Sequence, residues 1–385
     1  MYGAFVILIA GLSVQAQNFS VVYNFDVTHG QTPQAGLVRD AAGNLYGTTA
    51  SGGDATSGVI FKISANGQAT VLHTFNDSDG SLPRTDLTLS GSTLYGTTFG
   101  GGSIGAGTIF KISTDGSGFK SLYSFTGGDD GSNPASGVIR DSQGNLYGTT
   151  QYGGMFLSGV LYRLSPSGTL TPLHGFTGGS DGAMPMAEPI MEASGNLYGT
   201  TEFGGDNAGN CVGLSSGCGV VYKVAPDGKL TVLRSFTNMQ GDGAYPMGAL
   251  LRDAAGNLYG TTTGGGGQKN NGTVFKIDSK GNFTRLHSFG AGIPDGVVPQ
   301  GALVRDSAGN LYGTTTYGGS SSNSGTIFKL APNGREKVIH SFKASDGTGP
   351  QGALLLTPNG VLFGLTTAGG NSDAGVVFKL KLPQP

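Results

Sequence analysis

The sequence predicts an all-β protein, folded as a single seven-bladed β-propeller of four-stranded blades. The phrase Leu-Tyr-Gly-Thr-Thr occurs six times and returns as Leu-Phe-Gly-Leu-Thr, and successive copies start 49 to 61 residues apart. A period of this length is typical of propeller blades and other repeat arrays. The copies start at the following positions, which number the blades one to seven: Leu45, Leu94, Leu146, Leu197, Leu258, Leu311 and Leu362.

Each repeat contains four short apolar runs bounded by turn residues. In blade one they cover 36–40, 44–49, 58–64 and 70–75, which we label strands a, b, c and d. None has the three-to-four spacing of an amphipathic helix, so all four are predicted to be strands. The a–b connection, from Asp40 to Asn44, has the Asp and Gly of a hairpin turn, which favours a structural role for the recurrent Asp.

The two ends of the repeat region are predicted to meet in one blade. The run at 19–25 matches strand d, whereas the last repeat ends after its strand c and has no strand d of its own. An N-terminal strand d that completes blade seven would close the ring and leave no exposed sheet edge. We therefore expect six whole blades and one composite blade.

The repeat unit is similar to a known family. Its order is Gly-Asn-Leu-Tyr-Gly-Thr-Thr, Gly-Gly, Gly-Thr-Ile-Phe-Lys-Ile, Leu-His-Ser-Phe, then Asp-Gly and Pro, and it covers nearly the whole chain. This unit resembles the GloVer (Gloeo/Verruco) tandem repeat of extracytoplasmic bacterial proteins. The resemblance implies a secreted or surface-tethered repeat protein without an established activity. Blade one departs from the pattern with His29 before Gly30, and blade seven with Leu365 in place of Thr.

The N-terminal segment is predicted to direct the protein out of the cytoplasm. An apolar run at 4–12 and small residues at 14–16 indicate a secretory signal peptide over residues 1–16, and the alternative is an apolar first strand. Residues 17–385 then form one propeller domain. The formal net charge is −2 and no second apolar stretch is long enough to span a bilayer. We expect a secreted or cell-surface bacterial monomer that neither binds nucleic acid nor inserts into a membrane.

Ionisable residues recur at fixed positions of the repeat, which favours structural roles over a metal site. The cations of strand c are expected to pair between blades or to face solvent. Histidines that recur on outer strands lie too far apart to share one ion, so no metal site is predicted. Calcium bound by the Asp-Gly turns of the d–a loops is the alternative. The histidines are His73, His174, His287 and His340, and the turn aspartates are Asp79, Asp130, Asp181, Asp242, Asp295 and Asp346.

The b–c and d–a loops of a propeller open on the same face, and there the repeats differ most. Aromatic residues follow strand b among glycines in four blades, where their rings suit stacking against sugars or peptide side chains. We therefore predict a module that binds an extracellular glycan or protein on this loop face. The alternative is that each ring packs between its own blades. The four residues are Phe99, Tyr152, Phe203 and Tyr317.

Blade four departs furthest from the repeat. Its b–c loop contains the chain's two cysteines, Cys211 and Cys218, which are expected to form a local disulfide in an oxidising compartment. The same blade contains Glu188, at the entrance to strand a, and Glu202, which follows Thr201 on the b–c loop. Two carboxylates beside an aromatic ring would suit a carbohydrate-active hydrolase or lyase, which is the enzymatic alternative to binding. A purely structural surface or adhesion module is the third hypothesis.

Overall fold

Seven antiparallel four-stranded sheets form the protein in a computed structural model that describes residues 18–206, 211, 217–239, 241–320 and 322–383. Within these ranges the only helical element is a 3-10 turn at Ala344–Asp346. A short two-stranded ribbon pairs Gly296–Val297 with Tyr317–Gly318. The predicted all-β propeller is confirmed, and the predicted signal peptide at residues 1–16 lies outside the described residues.

Strands a and b form the inner half of each blade. Strand a is short in every blade: Val38–Arg39, Thr88–Ser90, Ile139–Arg140, Ile190–Met191, Leu251–Arg252, Val304–Arg305 and Leu355–Leu356. Strand b carries the repeated Leu-Tyr-Gly-Thr-Thr phrase and is largely buried: Leu45–Thr49, Thr93–Thr98, Leu146–Thr150, Leu197–Thr201, Leu258–Thr262, Leu311–Thr315 and Val361–Thr366.

Strands c and d form the outer half. Strand c is apolar and mostly buried: Val59–Ile63, Thr108–Ser113, Val160–Leu164, Val220–Val224, Thr273–Ile277, Thr326–Leu330 and Val376–Lys381. Strand d is the more exposed edge of the blade: Ala69–Thr74, Lys120–Ser124, Leu170–Gly175, Leu230–Ser235, Phe283–Ser288, Glu336–Ser341 and Asn18–Asn24.

The ring closes through the first described strand. Asn18–Asn24 pairs antiparallel with Val376–Lys381, so the sheet of blade seven combines one N-terminal strand with three C-terminal strands. Asn371 adds a backbone N–H that donates to Asn24 Oδ1 at 3.0 Å. The predicted composite blade is therefore confirmed.

Aromatic pairs hold neighbouring blades together. The Phe that follows strand d of one blade packs against the third residue of strand c in the next, at ring-centroid distances of 5.0 to 5.3 Å around the whole ring. Such edge-to-face and tilted contacts stabilise the packing of the blades beyond what the buried apolar area alone contributes. The pairs are Phe25–Phe61, Phe75–Phe110, Phe125–Tyr162, Phe176–Tyr222, Phe236–Phe275, Phe289–Phe328 and Phe342–Phe378.

The two threonines of the repeated phrase have different structural roles. The first donates its hydroxyl to a backbone carbonyl of the next blade, as Thr97 does to Ser136 at 2.7 Å. The second donates within its own b–c loop, as Thr98 does to Gly100 at 2.8 Å. Blade seven lacks the first contact because Leu365 replaces the threonine and packs in the apolar cluster between blades seven and one.

Blade one shows local contacts of the recurrent charged residues of strand c and of the a–b turn. Asp40 accepts hydrogen bonds from the Asn44 side chain at 2.7 Å and the Tyr46 hydroxyl at 2.8 Å. Lys62 lies directly across from Tyr46 on the neighbouring strand, with its Nζ 5.7 Å from the ring centroid. Lys223, Lys276 and Lys329 lie over the equivalent tyrosines of their own blades, and these lysines are partly exposed, where the sequence predicted pairing between blades or a side chain that faces solvent.

Candidate functional site

A central channel opens where the chain enters strand a in each blade. The three residues that follow a recurrent proline in each d–a loop line a cavity of about 130 Å³, except that blade one contributes only the first two. Large side chains occupy the first of these positions in six blades. The seven first-position residues are Gln34, Arg84, Ala135, Met186, Met247, Gln300 and Gln351.

Backbone and small side chains keep the second position narrow. A methyl group on Gly301 would lie 2.6 Å from the carbonyl oxygen of Gly352 in the next blade, which is closer than packed atoms approach. The second-position residues are accordingly small: Ala35, Thr85, Ser136, Ala187, Gly248, Gly301 and Gly352. Their carbonyls include the acceptors of the strand b threonines, so the same residues join the blades and form the channel wall.

The third position breaks the pattern of small residues. Five blades have glycine or alanine there: Gly36, Gly137, Ala249, Ala302 and Ala353. Blades two and four instead have Asp86 and Glu188, which flank Gly137 of blade three. A methyl group on Gly137 would lie 2.6 Å from the Asp86 carbonyl oxygen and 3.4 Å from Glu188 Oε1. The ring thus brings together two carboxyl groups 102 positions apart in the sequence.

The two carboxyl groups line the cavity, and the charge of Asp86 acts on Glu188. Burial, followed by the charge of Asp86, raises the pKa of Glu188 to about 8. Burial also raises the pKa of Asp86, against the hydrogen bond that its Oδ1 accepts from the Gly36 backbone N–H at 2.5 Å. Two such groups favour a state with fewer than two negative charges, since like charges in a desolvated site disfavour joint ionisation.

Tyr162 borders the same site from blade three. Its hydroxyl is buried and has no hydrogen-bond partner among the described residues. Burial and, secondly, the charge of Glu188 raise its pKa, so the hydroxyl stays protonated. Tyr162 occupies the strand c position that five blades fill with phenylalanine. It therefore adds an unpaired O–H donor near a carboxyl group.

Arg84 links the channel to two of the predicted aromatic residues. Its guanidinium carbon lies 3.7 Å from the ring centroid of Phe99 in the same blade. Tyr152 of blade three is close enough to interact electrostatically with the same guanidinium. Burial lowers the pKa of Arg84, yet an arginine remains cationic at neutral pH. We call Arg84, Asp86, Phe99, Tyr152 and Glu188 the channel-mouth cluster.

The other two predicted aromatic residues lie elsewhere on the loop face. Phe203 packs edge-on against Tyr245 of blade five, with ring centroids 5.4 Å apart. Tyr317 lies in the two-stranded ribbon opposite Val297 and is 48% exposed. The four aromatic residues therefore do not form one continuous surface. Phe99 and Tyr152 belong to the channel mouth, Phe203 packs between blades, and Tyr317 projects from blade six.

Glu202 does not share a site with Glu188 in the part of the chain that the structure describes. It lies outside the channel lining, its backbone N–H donates to Met184 at 3.0 Å, and burial raises its pKa. The electrostatic partner of Glu188 is Asp86 instead. Alignment of the three residues after the d–a proline across all blades would have revealed Asp86 and Arg84, which the sequence analysis missed.

The remaining predicted residues have local partners. Cys211 and Cys218 form the expected disulfide, with Cα atoms 5.3 Å apart, while 212–216 lie outside the described residues. Two d–a aspartates bind the strand d histidine of their own blade. These contacts are His73–Asp79 at 3.0 Å and His174–Asp181 at 2.9 Å. Calcium binding at these loops stays a prediction.

Comparison with known proteins identifies the repeat. The family model described as the Gloeobacter/Verrucomicrobia repeat matches residues 8–212 and 210–384, nearly the entire chain. The chain belongs to this family. No curated protein matches this Gloeobacter/Verrucomicrobia repeat protein. Among the residues that the structure describes, none forms a helix of the length and apolarity that crossing a membrane requires.

Solved structures share the fold of this Gloeobacter/Verrucomicrobia repeat protein at low sequence identity. An oligogalacturonate lyase in complex with manganese is 13% identical, with a TM-score of 0.55 over 96% of this chain and 97% of that chain. PorZ, a surface component of the type-IX secretion system of Porphyromonas gingivalis, is 14% identical, with a TM-score of 0.55 over 92% and 47%. A Xanthomonas campestris gluconolactonase is 14% identical, with a TM-score of 0.48 over 95% and 90%. These likenesses concern the fold alone.

Proposed function

We propose that this repeat protein is an extracytoplasmic binding module that takes a saccharide at the mouth of its central channel. One observation carries the proposal: blades two and four place carboxyl groups where five blades have glycine or alanine. Those five blades indicate that small residues are sufficient for the fold at this position. The disulfide between Cys211 and Cys218 supports an oxidising, extracytoplasmic compartment.

The carboxyl groups have an energetic cost that a structural role does not explain. Burying ionisable groups close together is unfavourable unless they are paired, and perturbed groups of this kind concentrate at functional sites. Of the two carboxyl groups, Asp86 accepts one backbone hydrogen bond, from the N–H of Gly36. The side chains thus retain hydrogen-bonding capacity directed into a cavity, where a ligand can use it.

The chemistry of the channel-mouth cluster suits a polyhydroxylated ring. Carboxyl oxygens accept hydrogen bonds from sugar hydroxyls, and the Arg84 guanidinium donates in a fixed planar geometry. Phe99 and Tyr152 offer apolar ring faces beside these groups. Gln34, Gln300 and Gln351 also line the cavity and supply both donors and acceptors. A few polar groups that converge on a partly apolar cavity are typical of a small-molecule site.

A glycan-array screen of residues 17–385 tests the proposal, with Arg84→Ala and Glu188→Gln as variants. We expect a defined saccharide to bind the wild type and each variant to bind at least about tenfold more weakly, since each removes a directly contacting group. Glu192→Gln is the matched control: it makes the same chemical change in the same blade, at an ion pair with Arg252 outside the channel. It should bind like the wild type.

Two outcomes would reject saccharide binding at this site. Either no glycan is retained, or the variants and the control bind equally well. A protein partner, or a purely structural role, would then account for the loop face. Repeating the screen with calcium and with a chelator tests the Asp-Gly turns of the d–a loops separately, because the aspartates of those turns do not line the channel.

Acid–base catalysis on a bound saccharide is the second candidate function. The observation in its favour is that Asp86 and Glu188 meet at one cavity, where burial and the charge of Asp86 raise the pKa of Glu188 to about 8, so that a protonated carboxyl group is available near neutral pH. Any saccharide identified above should be incubated with the wild type and new reducing ends measured. Loss of turnover in Glu188→Gln but not in Glu202→Gln would assign the reaction to the channel pair. Turnover that depends on Glu202 would instead support the pairing expected from the sequence.

A further inference from the structure

We propose that His287, Asp295 and Glu336 bind a divalent first-row transition-metal ion between blades five and six. The ligand atoms of these three side chains all lie within 4.8 Å of one another. His287 is on strand d of blade five, Asp295 follows in the d–a loop, and Glu336 begins strand d of blade six. The site lies on the outer strands and shares no residue with the channel-mouth cluster.

Glu336 lies four residues before the strand d histidine of blade six, at a position where every other blade has an apolar residue. In blades two and seven, the residue four positions before the strand d histidine or its equivalent lies against the strand d histidine of the preceding blade. Phe119 stacks on His73 at 3.6 Å between ring centroids, and Phe19 stacks on His340 at 3.8 Å. Only blade six has an acidic residue there. The other six residues are Ala69, Phe119, Leu170, Leu230, Phe283 and Phe19.

The three side chains are poorly satisfied without a further partner. His287 Nε2, Asp295 Oδ1 and Glu336 Oε1 are buried atoms that lack a hydrogen-bond partner among the described residues. The Asp295 side chain is only 9% exposed. Buried polar atoms normally have hydrogen-bond partners, so three unpaired atoms that face one another indicate a missing group. A cation would satisfy all three together.

The surrounding backbone orients Asp295 toward this position. Its Oδ2 accepts backbone N–H donors from Gly290 at 2.7 Å and Ala291 at 2.8 Å, which leaves Oδ1 directed at the histidine. The His287 Nε2 to Asp295 Oδ1 distance is 3.7 Å, against 2.9 Å for His174 and Asp181 in blade three. Hydrogen bonds that fix a ligand's outer atom are a common feature of metal sites.

The donor set selects the class of ion. One imidazole nitrogen and two carboxylate oxygens suit Zn²⁺, Mn²⁺ or Co²⁺, whereas Ca²⁺ takes oxygen ligands. Three protein ligands leave coordination positions for water. The His287 side chain is 17% exposed, which places the three side chains close to the outer surface. We therefore choose Zn²⁺ as the binding probe and Co²⁺ as the spectroscopic probe.

Calorimetric titration of Zn²⁺ into chelator-treated, tag-free protein tests the proposal. We expect about one tightly bound ion, and Co²⁺ should give a visible absorption band typical of coordination by nitrogen and oxygen. Glu336→Leu and Asp295→Asn should each weaken binding at least about tenfold. Leucine is the natural residue at this position in blades three and four, as Leu170 and Leu230 show. Glu336→Leu is thus expected to preserve the fold.

His174→Ala is the matched control, because it removes a histidine that pairs with an aspartate without a third carboxylate nearby. It should bind Zn²⁺ with wild-type affinity, and Zn²⁺ should raise the thermal unfolding temperature of this variant and of the wild type, but not of Glu336→Leu. A wild type without a Zn²⁺ site would overturn the proposal, as would variants that match the control. Saccharide binding at the channel mouth should be the same in all of these proteins.

Discussion

Glu188 occupies a channel position where its ionised form is disfavoured. Its pKa rises to about 8 from an ordinary value of 4.5 because of burial and the nearby Asp86. The folded state therefore binds a proton more tightly than the unfolded chain does. Glu188 stabilises the protein fully below about pH 4.5, and this contribution is lost as the pH rises through 8.

Glu188→Gln is predicted to remove this dependence on pH. At pH 8.5 to 9 the variant should unfold at a temperature at least about 2 °C above the wild type, since an amide keeps the shape and never ionises. Near pH 4.5 the two unfolding temperatures should converge. Thermal denaturation followed by circular dichroism across this pH range is the measurement. A constant difference between the two proteins at every pH would contradict the pKa assignment.

Glu192 in the same blade provides a control, because its contribution to stability should change with pH in the direction opposite to that of Glu188. Hydrogen bonds from Asn196 and Ser194, together with Arg252, lower its pKa to about 2. Its contribution to stability is present above about pH 4.5 and is lost as the pH falls toward 2. Glu192→Gln should accordingly be less stable than the wild type at pH 7, and the difference should shrink in acid.

Which residues meet at the channel could be predicted only in part from the sequence. The sequence analysis identified Glu188 because it departs from the repeat. It identified Phe99 and Tyr152 because they lie on the loop face. Their actual neighbours, Asp86 and Arg84, come from another blade or another loop. The distance between residues of different blades depends on how closely the blades approach one another at the channel. The small residues of the channel wall set this approach, and the sequence of a single repeat does not contain it.

At the scale of single elements, strands b to d follow the expected pattern while strand a does not. In blade one the observed strands Leu45–Thr49, Val59–Ile63 and Ala69–Thr74 lie within one residue of the predicted runs. Strand a was predicted at 36–40 and covers only Val38–Arg39. Gln34 and Ala35, just before the predicted run, line the channel, and the Gly36 backbone N–H donates to Asp86. The apolar pattern alone does not distinguish a paired residue from one that bends into the channel wall.

The strand b threonine is predicted to contribute measurably to stability through its contact with the next blade. Thr97 Oγ1 donates to the buried carbonyl of Ser136 at 2.7 Å, so Thr97→Val should leave that oxygen without this donor. We expect a loss of about 1–3 kcal/mol in the free energy of unfolding, measured by denaturant titration. Thr70→Val makes the same change on exposed strand d of blade one and should stay within about 0.5 kcal/mol of the wild type. Equal effects would show that the contact is unimportant.

At the scale of the whole molecule, the strand Asn18–Asn24 covers what would otherwise be an open edge. Its partner Val376–Lys381 is buried along most of its length, and Phe19 packs on Phe342 and Phe378 between blades six and seven. An unpaired apolar strand of this kind promotes association with other chains. Closure of the ring is therefore expected to control both stability and solubility.

Removing the closing strand tests this expectation. A chain that starts at residue 25 should form larger species in size-exclusion chromatography and unfold at lower denaturant concentration than one that starts at residue 18. A synthetic peptide of residues 17–25 should restore the monomer by adding a strand to the exposed edge, and the same peptide with Val21→Asp should not. If the shortened chain remained monomeric and equally stable, closure would have no such role.

Closure also determines when the protein can finish folding. The hydrogen bond between Asn24 and Asn371 joins positions 347 residues apart, so the earliest described strand has no partner until the last repeat has been made. Blades one to six can assemble from neighbouring segments, but the seventh needs both ends of the chain. A polypeptide truncated before its last strand would therefore keep an open edge, by which an incomplete chain differs from a finished one.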